Sequence, residues 1–441
     1  MKTLLVQPPF EDFYATPIRL YPLGLLYAAS VLREAGCEVG VLDCLSPLRK
    51  RPKPVPKEMS YLEPYLGEPL FFRGYYRFGS SEEEIVRKIK EFGPDIIGIS
   101  SQFAAYYQSV EELSRLIKSE LGLPIFIGGH QATAFPAEIK RRTPEIDHLL
   151  IGPAEECLPR FLATLGAAAE IREIDWTAVQ PAHDLVPAGL YKIGKKNAIS
   201  LIASRGCPFR CDFCSVHRLF GRTIRYRSVG SLIEEMRRAY RRQNVRLFNF
   251  EDDNLSYDRA WFSEFLKAVE DDDILKGIEL TAMNGLCSVT LEEERLPAMA
   301  AAGFRELNLS FVTESREIKG EYHRLPEKPD FERLIRAARR LGFFVTVYVI
   351  LGLPGQTSDE IRASLDYLWS LGVLVGPSVF YIPPASPLYD RLRLPPEIRN
   401  NWNLYRSSAF AVETKELRRS ELIELFLDAR RKNLENKNKM R

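Results

Sequence analysis

The chain has 441 residues, which at about 150 residues per domain corresponds to roughly three structural units. Hydrophobic residues make up 45% and charged residues 27%, a composition that is typical of globular proteins and excludes an intrinsically disordered chain. The formal net charge is +2, so there is no overall field to attract nucleic acid or an anionic membrane.

Targeting and membrane signals are weak in this sequence. No run of apolar residues approaches the length of about 18 that a membrane-spanning helix needs. The apolar stretch after Met1 is too short for a secretory signal peptide. We therefore expect a cytoplasmic protein with no membrane span and no nucleic-acid partner.

The first 166 residues alternate short apolar runs with amphipathic stretches. The apolar runs are rich in Val, Ile and Leu without strict alternation, which is typical of strands buried on both faces of a parallel sheet. Strands are predicted at residues 3–7, 38–43, 95–101, 124–129 and 148–152, and helices at 23–35, 82–92, 110–121, 136–142 and 155–165. Five successive βα units predict a doubly wound, five-stranded parallel sheet.

The carboxyl ends of such strands are where a doubly wound sheet binds its ligand. Small and polar residues occupy several of these ends, namely Ser100, Ser101, Gln102, Gly129 and His130. These residues would suit a large, flat ligand lying across the edge of the sheet. The alternative is that each is an ordinary turn residue.

Two segments interrupt the βα pattern. Residues 45–79 hold six prolines and predict either a flexible insert or an ordered loop that helps to form a site. Residues 167–196 are rich in Pro and Ala and predict a linker.

A second series of βα units fills residues 197–392. Strands are predicted at 199–204, 245–250, 278–283, 306–311, 344–350 and 377–382, and helices at 231–242, 259–270, 291–302, 330–341 and 359–371. Six parallel strands with helices between them predict a (βα)6 partial TIM-type barrel with its active site at the carboxyl ends of the strands. Residues 393–441 predict a small C-terminal helical region that ends in a charged helix at 418–437.

The seven cysteines are an odd number in a long chain, which argues against a disulfide framework. Cys207, Cys211 and Cys214 fall in one loop directly after the first barrel strand, where three thiolates can converge on one inorganic centre. A four-iron cluster held by three cysteines would keep one iron open for a small chelating molecule. Zinc, with His217 as the fourth ligand, is the main alternative, and unrelated thiols are the other.

The segment Cys207-x-x-x-Cys211-x-Phe213-Cys214 resembles the signature of radical S-adenosylmethionine (SAM) enzymes. The resemblance covers residues 197–392 and implies a [4Fe–4S] cluster on the three cysteines. It also implies that the open iron binds the amino and carboxylate groups of SAM. One electron from the reduced cluster would then cleave the sulfonium to methionine and a 5′-deoxyadenosyl radical.

Further segments resemble the cofactor contacts of that family. The acidic run after the second barrel strand would contact the ammonium group of SAM, and a Glu-Ser pair after the fourth strand would lie near the cofactor. Two glycines after the fifth strand, and the aromatic residue of the cysteine loop, would lie by the adenine. The residues concerned are Phe213, Glu251, Asp252, Glu314, Ser315, Gly352 and Gly355. The alternative for each of these residues is a structural role, as a helix cap, a turn residue or a packing residue. Three further polar residues could reach the site, but such residues are more often structural than functional: His217, His323 and Arg324.

A large branch of the family carries an N-terminal cobalamin-binding domain, and residues 1–166 resemble it. The resemblance rests on the segments 22–29, 94–100 and 128–133, and it implies that the predicted sheet edge binds cobalamin. The Asp-x-His-x-x-Gly motif, which supplies an axial histidine in other cobalamin proteins, is absent from the sequence. We therefore expect cobalamin to bind without a histidine on its lower face.

These resemblances together imply a cobalamin-dependent methyltransferase that acts on an unactivated carbon under anaerobic conditions. An external electron donor such as flavodoxin or ferredoxin would reduce the cluster. The alternatives are an oxidative cyclase or rearrangement enzyme, a methylthiotransferase, or a non-enzymatic cobalamin or zinc sensor. A methylthiotransferase would need more N-terminal cysteines for a second cluster, whereas Cys37 and Cys44 have the pattern of buried thiols. The pattern singles out neither a substrate nor a catalytic acid, base or hydrogen donor.

Overall fold

The computed structural model describes residues 1–15, 21–166, 174–325 and 330–436. The chain divides into two compact units, each built on parallel β-sheet and α-helices, so the predicted α/β class is confirmed. The first unit comprises Met1–Glu63, Phe72–Tyr191 and Leu394–Asn403, and the second comprises Pro64–Phe71, Lys192–Arg393 and Leu404–Arg441. Each unit thus includes a short segment from the part of the sequence that otherwise builds the other.

The first unit is centred on a five-stranded sheet in the order β3-β1-β6-β7-β8, with every neighbouring pair parallel. A three-stranded antiparallel sheet, β2-β5-β4, lies in the same unit. The strands are β1 Lys2–Gln7, β2 Phe10–Asp12, β3 Glu38–Asp43, β4 Lys50–Lys53, β5 Tyr75–Phe78, β6 Ile96–Ser100, β7 Ile125–Gly128 and β8 His148–Leu149. The segment 45–79 is therefore ordered, because it supplies β4, β5 and a 3₁₀ stretch between them.

Helices pack against the central sheet of this unit. They are α1 Leu23–Glu34, α2 Glu82–Phe92, α3 Tyr107–Leu121, α4 His130–Ala134, α5 Pro136–Arg142 and α6 Ala154–Thr164. One hydrophobic cluster joins Leu5 and Phe126 of the sheet to Leu32 of α1 and Leu162 of α6. Burying each such side chain contributes about 1.5–3 kcal/mol to the stability of the fold. The cluster therefore holds the sheet in place, and with it the ends of the strands.

The second unit contains two main sheets, in the orders β14-β13-β10-β9 and β15-β16-β17-β18, and a two-stranded antiparallel sheet of β11 with β12. All pairs in the main sheets are parallel except β9 with β10, and a single parallel bridge joins Leu280 to Phe304. The strands are β9 Lys192–Ile193, β10 Lys196–Leu201, β11 Ser204–Arg205, β12 Arg225–Tyr226, β13 Leu247–Phe250, β14 Glu279–Thr281, β15 Leu286–Cys287, β16 Glu306–Val312, β17 Phe344–Leu351 and β18 Leu374–Val379.

The remaining helices begin with α7 to α10, at Val216–Leu219, Val229–Gln243, Arg259–Glu270 and Leu296–Ala302. They continue with α11 to α14, at Arg316–Glu321, Phe331–Arg340, Ser358–Ser370 and Pro387–Arg391, and end with α15 Pro396–Arg399, in the first unit, and α16 Arg419–Asn436. Among the described residues, none of the helices combines the length and the apolar character needed to cross a membrane.

Several predicted boundaries differ from the structure. Helix α10 begins later than the predicted residue 291, because Pro297 occupies its first turn, where a missing N–H costs nothing. Strand β18 begins before the predicted residue 377, since an edge strand tolerates Pro377. The predicted strand 199–204 is two strands, β10 and β11. Residues 167–173 of the predicted linker and residues 437–441 lie outside the described residues.

Candidate active site

The three clustered cysteines lie in the loop that follows the carboxyl end of β10. Cys211 is buried, and Cys207 and Cys214 are half-buried. The loop is fixed by backbone hydrogen bonds from Cys214 N to Cys211 O (3.0 Å) and from Asp212 N to the carbonyl oxygen of Tyr322 (3.0 Å). The three thiols are therefore held in one short, hydrogen-bonded segment.

Gly206 makes the entry into this loop possible. Its φ is +94°, a left-handed conformation that favours glycine. A Cβ atom at this position would lie 2.5 Å from the carbonyl oxygen of Thr223, which is a steric clash. Only glycine therefore fits directly before Cys207.

Carboxylates from the neighbouring strand anchor the same loop, because β10 and β13 are adjacent parallel strands whose carboxyl ends meet. Asp252 is buried and accepts hydrogen bonds from Ala203 N (3.1 Å), Ser204 N (2.5 Å) and Ser204 Oγ (2.6 Å). Asp253 accepts one hydrogen bond, from Gly206 N, at 3.1 Å.

The carboxylate of Glu251 accepts hydrogen bonds from side chains outside the cysteine loop. Its Oε1 accepts from Ser200 Oγ (3.0 Å) and Asn249 Nδ2 (2.6 Å), and its Oε2 accepts from Asn284 Nδ2 (2.6 Å). Both oxygens of Glu251 are thus already engaged by side chains of the protein.

Asp253 is the acid of this run that acts electrostatically on the cysteines. Burial raises the pKa of Asp253 to about 6, against the hydrogen bond from Gly206. The charge of Asp253 also adds to the rise in pKa of the Cys207 and Cys214 thiols that burial causes. The predicted contact of Glu251 and Asp252 with SAM stays a prediction. Asp253 is not among the predicted residues, because three consecutive carboxylates carry no signal of which one acts on the cysteines.

The buried thiols fit a metal-bearing group. Burial raises the pKa of Cys207 to about 11 and that of Cys214 to about 12, so both are neutral at physiological pH until nearby positive charge deprotonates them. A bound metal supplies that charge. A four-iron cluster takes each of three thiolates on a different iron, and three cysteines of one short loop supply that ligand set. The donor set therefore fits an iron–sulfur cluster.

Phe213 links the cysteine loop to the segment after β17. Its ring centroid lies 6.2 Å from that of Tyr322, and the Tyr322 hydroxyl donates a hydrogen bond to the carbonyl oxygen of Pro354 (2.7 Å). Gly352 and Gly355 flank this proline, and both have φ of +86°. A Cβ at Gly352 would lie 3.2 Å from the methyl groups of Leu422 in α16, so packing already favours glycine there.

Glu314 and Ser315 lie at the start of α11. The hydroxyl of Ser315 caps this helix by accepting from Ile318 N (3.4 Å), and it donates to Glu360 Oε1 (2.8 Å). Glu314 is exposed. The structure thus gives Ser315 a capping role, and its predicted contact with SAM stays a prediction.

The first unit has its own cluster of predicted site residues at the carboxyl edge of the five-stranded sheet. Ser100 ends β6, Ser101 is buried, and Gln102, Gly129 and His130 are exposed. Gly129 has φ of +115°, and a Cβ there would lie 2.5 Å from the carbonyl oxygen of Ser101. The loops after β6 and β7 therefore touch through their backbones.

Two polar atoms buried at this edge have no hydrogen-bond partner among the described residues. They are the Oγ of Ser101 and the Nε2 of Gln131, and both residues are 1% exposed. Unpaired buried polar groups are rare and costly in native proteins. A ligand with amide groups on its periphery, as cobalamin has, would give these two atoms partners, so the edge fits that group.

Two family models match the sequence. The model of the radical SAM superfamily matches residues 201–368, and the model of the B12 binding domain matches residues 59–162. Together the two ranges cover more than half of the chain.

Individual proteins are similar over most of the chain. The cytidylyl-2-hydroxyethylphosphonate methyltransferase of Streptomyces wedmorensis is 27% identical over 438 residues, covering 84% of this chain and 77% of that protein. An anaerobic magnesium-protoporphyrin IX monomethyl ester cyclase of Cereibacter sphaeroides is 22% identical, covering 78% of this chain and 60% of that protein.

A solved structure shares the fold. It is the radical S-adenosylmethionine methyltransferase TsrM from Kitasatospora setae, with cobalamin and a [4Fe–4S] cluster bound. The TM-score is 0.64 at 17% identity, and the match covers 88% of this chain and 77% of that chain. A radical SAM domain uses a [4Fe–4S] cluster and SAM, and a B12 binding domain uses cobalamin. The chain therefore carries a region that matches the radical SAM superfamily and, ahead of it, a region that matches the B12 binding domain.

Proposed function

We propose that the chain is a cobalamin-dependent radical SAM methyltransferase that acts on an unactivated carbon. The observation that carries the proposal is the hydrogen-bonded three-cysteine loop at the carboxyl end of β10, in a chain that also has a B12 binding domain. When bound, the cluster and SAM supply radical chemistry, and cobalamin supplies a carrier for the methyl group. The relative from Streptomyces wedmorensis, a methyltransferase by name, supports this reaction class.

The proposal includes the finer architecture. Strands β10, β13, β14, β16, β17 and β18 would form the (βα)6 partial barrel, which their parallel pairing and the Leu280–Phe304 bridge support. The proposed domains are residues 1–166 for cobalamin, 167–196 as a linker, 197–392 for the barrel and 393–441 as a C-terminal helical region.

In the site, Cys207, Cys211 and Cys214 would hold the cluster. Asp253 would approach the ammonium group of SAM, because a carboxylate is a strong acceptor for a cationic donor and the oxygens of Glu251 and Asp252 are occupied. Phe213 and the segment Gly352–Gly355 would lie by the adenine. The reductant would be an external one-electron donor such as flavodoxin or ferredoxin.

The first test counts the cofactors. Protein purified without oxygen is reconstituted with iron, sulfide and hydroxocobalamin, then desalted, and we expect about four irons and one cobalt per chain. Replacing Cys207, Cys211 or Cys214 by Ala should abolish iron binding. The matched control is Cys157→Ala, a half-buried cysteine of the first unit, which should keep the full iron content. Iron retained after loss of the loop cysteines would refute the assignment.

The second test follows the methyl group. SAM with a deuterated methyl group, a strong reductant and cytidylyl-2-hydroxyethylphosphonate, the compound in the relative's name, are supplied to the reconstituted protein. Methyl transfer predicts a labelled product together with 5′-deoxyadenosine. An unlabelled, oxidised product would instead favour a cyclase, the reaction in the name of the Cereibacter relative.

A further inference from the structure

The surface next to the cysteine loop carries a local excess of positive charge. Residues 205–226 include five arginines and one acidic residue, which gives a net charge of +4 with histidine neutral. The whole chain has a formal net charge of +2, so the remaining residues together carry −2. Four of the five arginines are exposed, and we call these four the basic surface: Arg210, Arg218, Arg222 and Arg225.

Backbone contacts hold part of the basic surface against the entry to the cysteine loop. A Cβ atom at Gly206, the residue before Cys207, would lie 2.5 Å from the carbonyl oxygen of Thr223 and 3.5 Å from that of Gly221. Arg222 stands between Gly221 and Thr223 in the chain, and its side chain is exposed. Its charge is therefore at the protein surface beside this loop.

The fold makes little use of these charges. Among the described residues, neither Arg210 nor Arg222 has an ion-pair partner. Arg225 stands directly opposite Arg205 in the pairing of β12 with β11, and like charges at such positions are unfavourable for a sheet. Exposed charges of this kind act mainly on the approach of a charged partner.

An exposed aromatic pair lies at the same loop. Phe209, between Cys207 and Cys211, has its ring centroid 6.0 Å from that of Tyr257, which is 40% exposed. Aromatic residues at the centre and charged residues at the rim are typical of surfaces that bind another protein. The chain as a whole has no positive field of the kind that draws in nucleic acid, so these features favour an acidic protein as the partner.

We propose that the basic surface, together with Phe209 and Tyr257, is the docking site for an acidic one-electron carrier protein. The inference rests on the proposed function, because it takes the three cysteines as ligands of the cluster that the carrier reduces. One electron passes from the carrier to the cluster, and no bond forms or breaks in that step. The arginines attract the acidic carrier, and the aromatic pair gives it an apolar contact beside the cysteines.

The experiment measures how fast a reduced bacterial flavodoxin of net negative charge reduces the cluster of the reconstituted full-length protein, by stopped-flow absorbance. In Arg210→Gln/Arg222→Gln we expect the second-order rate constant at about 0.05 M salt to fall about tenfold, because two charges that steer association are lost. The difference from the wild type should shrink at about 1 M salt, where the screening length is about 3 Å.

Arg336→Gln/Arg340→Gln is the matched control, since it removes the same charge from exposed positions of the same unit. Both arginines lie on α12, where they pair with Glu332 (3.1 Å) and Glu293 (3.5 Å). We expect this variant to have the wild-type rate constant. No fall in Arg210→Gln/Arg222→Gln, or an equal fall in the control, would overturn the inference.

A small reductant separates docking from damage to the cluster. Photoreduced deazariboflavin, which is uncharged, should reduce the wild type and both double variants at the same rate. If Arg210→Gln/Arg222→Gln is slower with this reductant to the same extent as with flavodoxin, the arginines act on the cluster and the inference is wrong.

Hydrogen exchange of the wild type keeps the test decisive if Arg210→Gln/Arg222→Gln does not assemble a cluster. Added flavodoxin must then slow the exchange of amides in residues 215–226 and leave those of α12 unchanged, and no slowing overturns the inference. A single-stranded RNA that slows the same amides, where flavodoxin does not, would assign the surface to nucleic acid and also overturn it. Wild-type protein that binds no iron would instead refute the proposed function itself.

Discussion

At the scale of single residues, the side-chain amide of Gln131 is the sharpest test of ligand binding in the first unit. Its buried Nε2 lacks a partner among the described residues, and such a group costs about 1–3 kcal/mol. Gln131→Met keeps the length of the side chain but removes the amide. We expect the cobalamin-free protein to become about 1 kcal/mol more stable to urea and cobalamin affinity to fall about tenfold.

The control for this prediction is Gln108→Met, because Gln108 is exposed and already donates to Glu112 (3.0 Å). This control variant should change neither the stability to urea nor the affinity for cobalamin. A gain in stability together with a loss of cobalamin affinity in Gln131→Met would show that the side-chain amide serves the ligand and not the fold. A Gln131→Met protein that loses stability without cobalamin would contradict this role.

Asp43, at the end of β3, predicts a pH dependence. Burial raises its pKa from 3.8 to about 6, against hydrogen bonds from Tyr191 and the Leu45 backbone. Between about pH 4 and pH 6 the folded protein keeps a proton that the unfolded chain has released, so this group's contribution to stability is lost as pH rises through that window. Two pKa units correspond to about 3 kcal/mol.

Asp43→Asn cannot titrate, so its urea midpoint should exceed that of the wild type above about pH 6 and match it near pH 4. Measuring the difference between the two proteins at each pH cancels the other titrating groups. A difference that does not grow between these pH values would disprove the raised pKa of Asp43.

At the scale of elements, we propose that the acids after β13 have two roles, one that anchors the loop after β10 and one that binds SAM. Asp252 holds the loop after β10 by three hydrogen bonds, and Asp253 holds it by one. Asp252→Asn should therefore lower both stability and iron content, because one carboxylate oxygen becomes a donor facing backbone N–H groups. Asp253→Asn should keep the iron and weaken SAM binding about tenfold, since it removes the charge next to a cation.

Iron analysis and equilibrium dialysis with SAM on the two variants check this division. Each variant serves as the control for the other, because both replace an adjacent carboxylate by its amide. Weaker SAM binding in Asp252→Asn at full iron content would reverse the assignment.

The elements show which features a sequence can predict. The central strands, such as β6, are continuous apolar runs because both of their faces are buried, and the chain shows this directly. Strand β18 is less visible, since Gly376 and Pro377 look like breakers until the strand is known to be an edge. The segment 45–79 looked irregular because β4 is fully exposed and has no hydrophobic periodicity.

The residues of the site also differ in whether the sequence alone can predict them. Cys207, Cys211 and Cys214 are close in the sequence, so their spacing alone predicts a shared centre. The contacts of Asp252 and Asp253 involve neighbours that are distant in the chain, such as Ser204 and Gly206. No pattern within a short stretch of the sequence indicates those contacts.

At the scale of the whole molecule, each unit depends on a segment from the other part of the sequence. The segment Leu394–Asn403 belongs to the first unit, where Trp402 is 4% exposed. The Trp402 ring centroid lies 5.0 Å from that of Tyr107 and 5.2 Å from that of Phe135, and the Arg142 guanidinium lies 4.3 Å from its ring. The Asn403 amide adds a hydrogen bond to Glu58 (2.9 Å).

Trp402→Ala should cost the first unit about 3–5 kcal/mol, because it leaves a cavity among Tyr107, Phe135 and Arg142. Hydrogen exchange of the α3 amides should then accelerate. Trp402→Phe should recover much of the loss, since it keeps an aromatic ring in place. Equal exchange in Trp402→Ala and wild type would mean that the segment contributes no stability to this unit.

Because Leu394–Asn403 belongs to the first unit, it also affects when that unit can finish folding during synthesis. Domains usually fold as units while the chain is made, the N-terminal one first. Here the N-terminal unit cannot complete its packing until residue 403 has left the ribosome, after every strand of the second unit has been translated. The first unit therefore completes its packing late, and we expect residues 1–166 expressed alone to leave the surface of Tyr107, Phe135 and Arg142 uncovered.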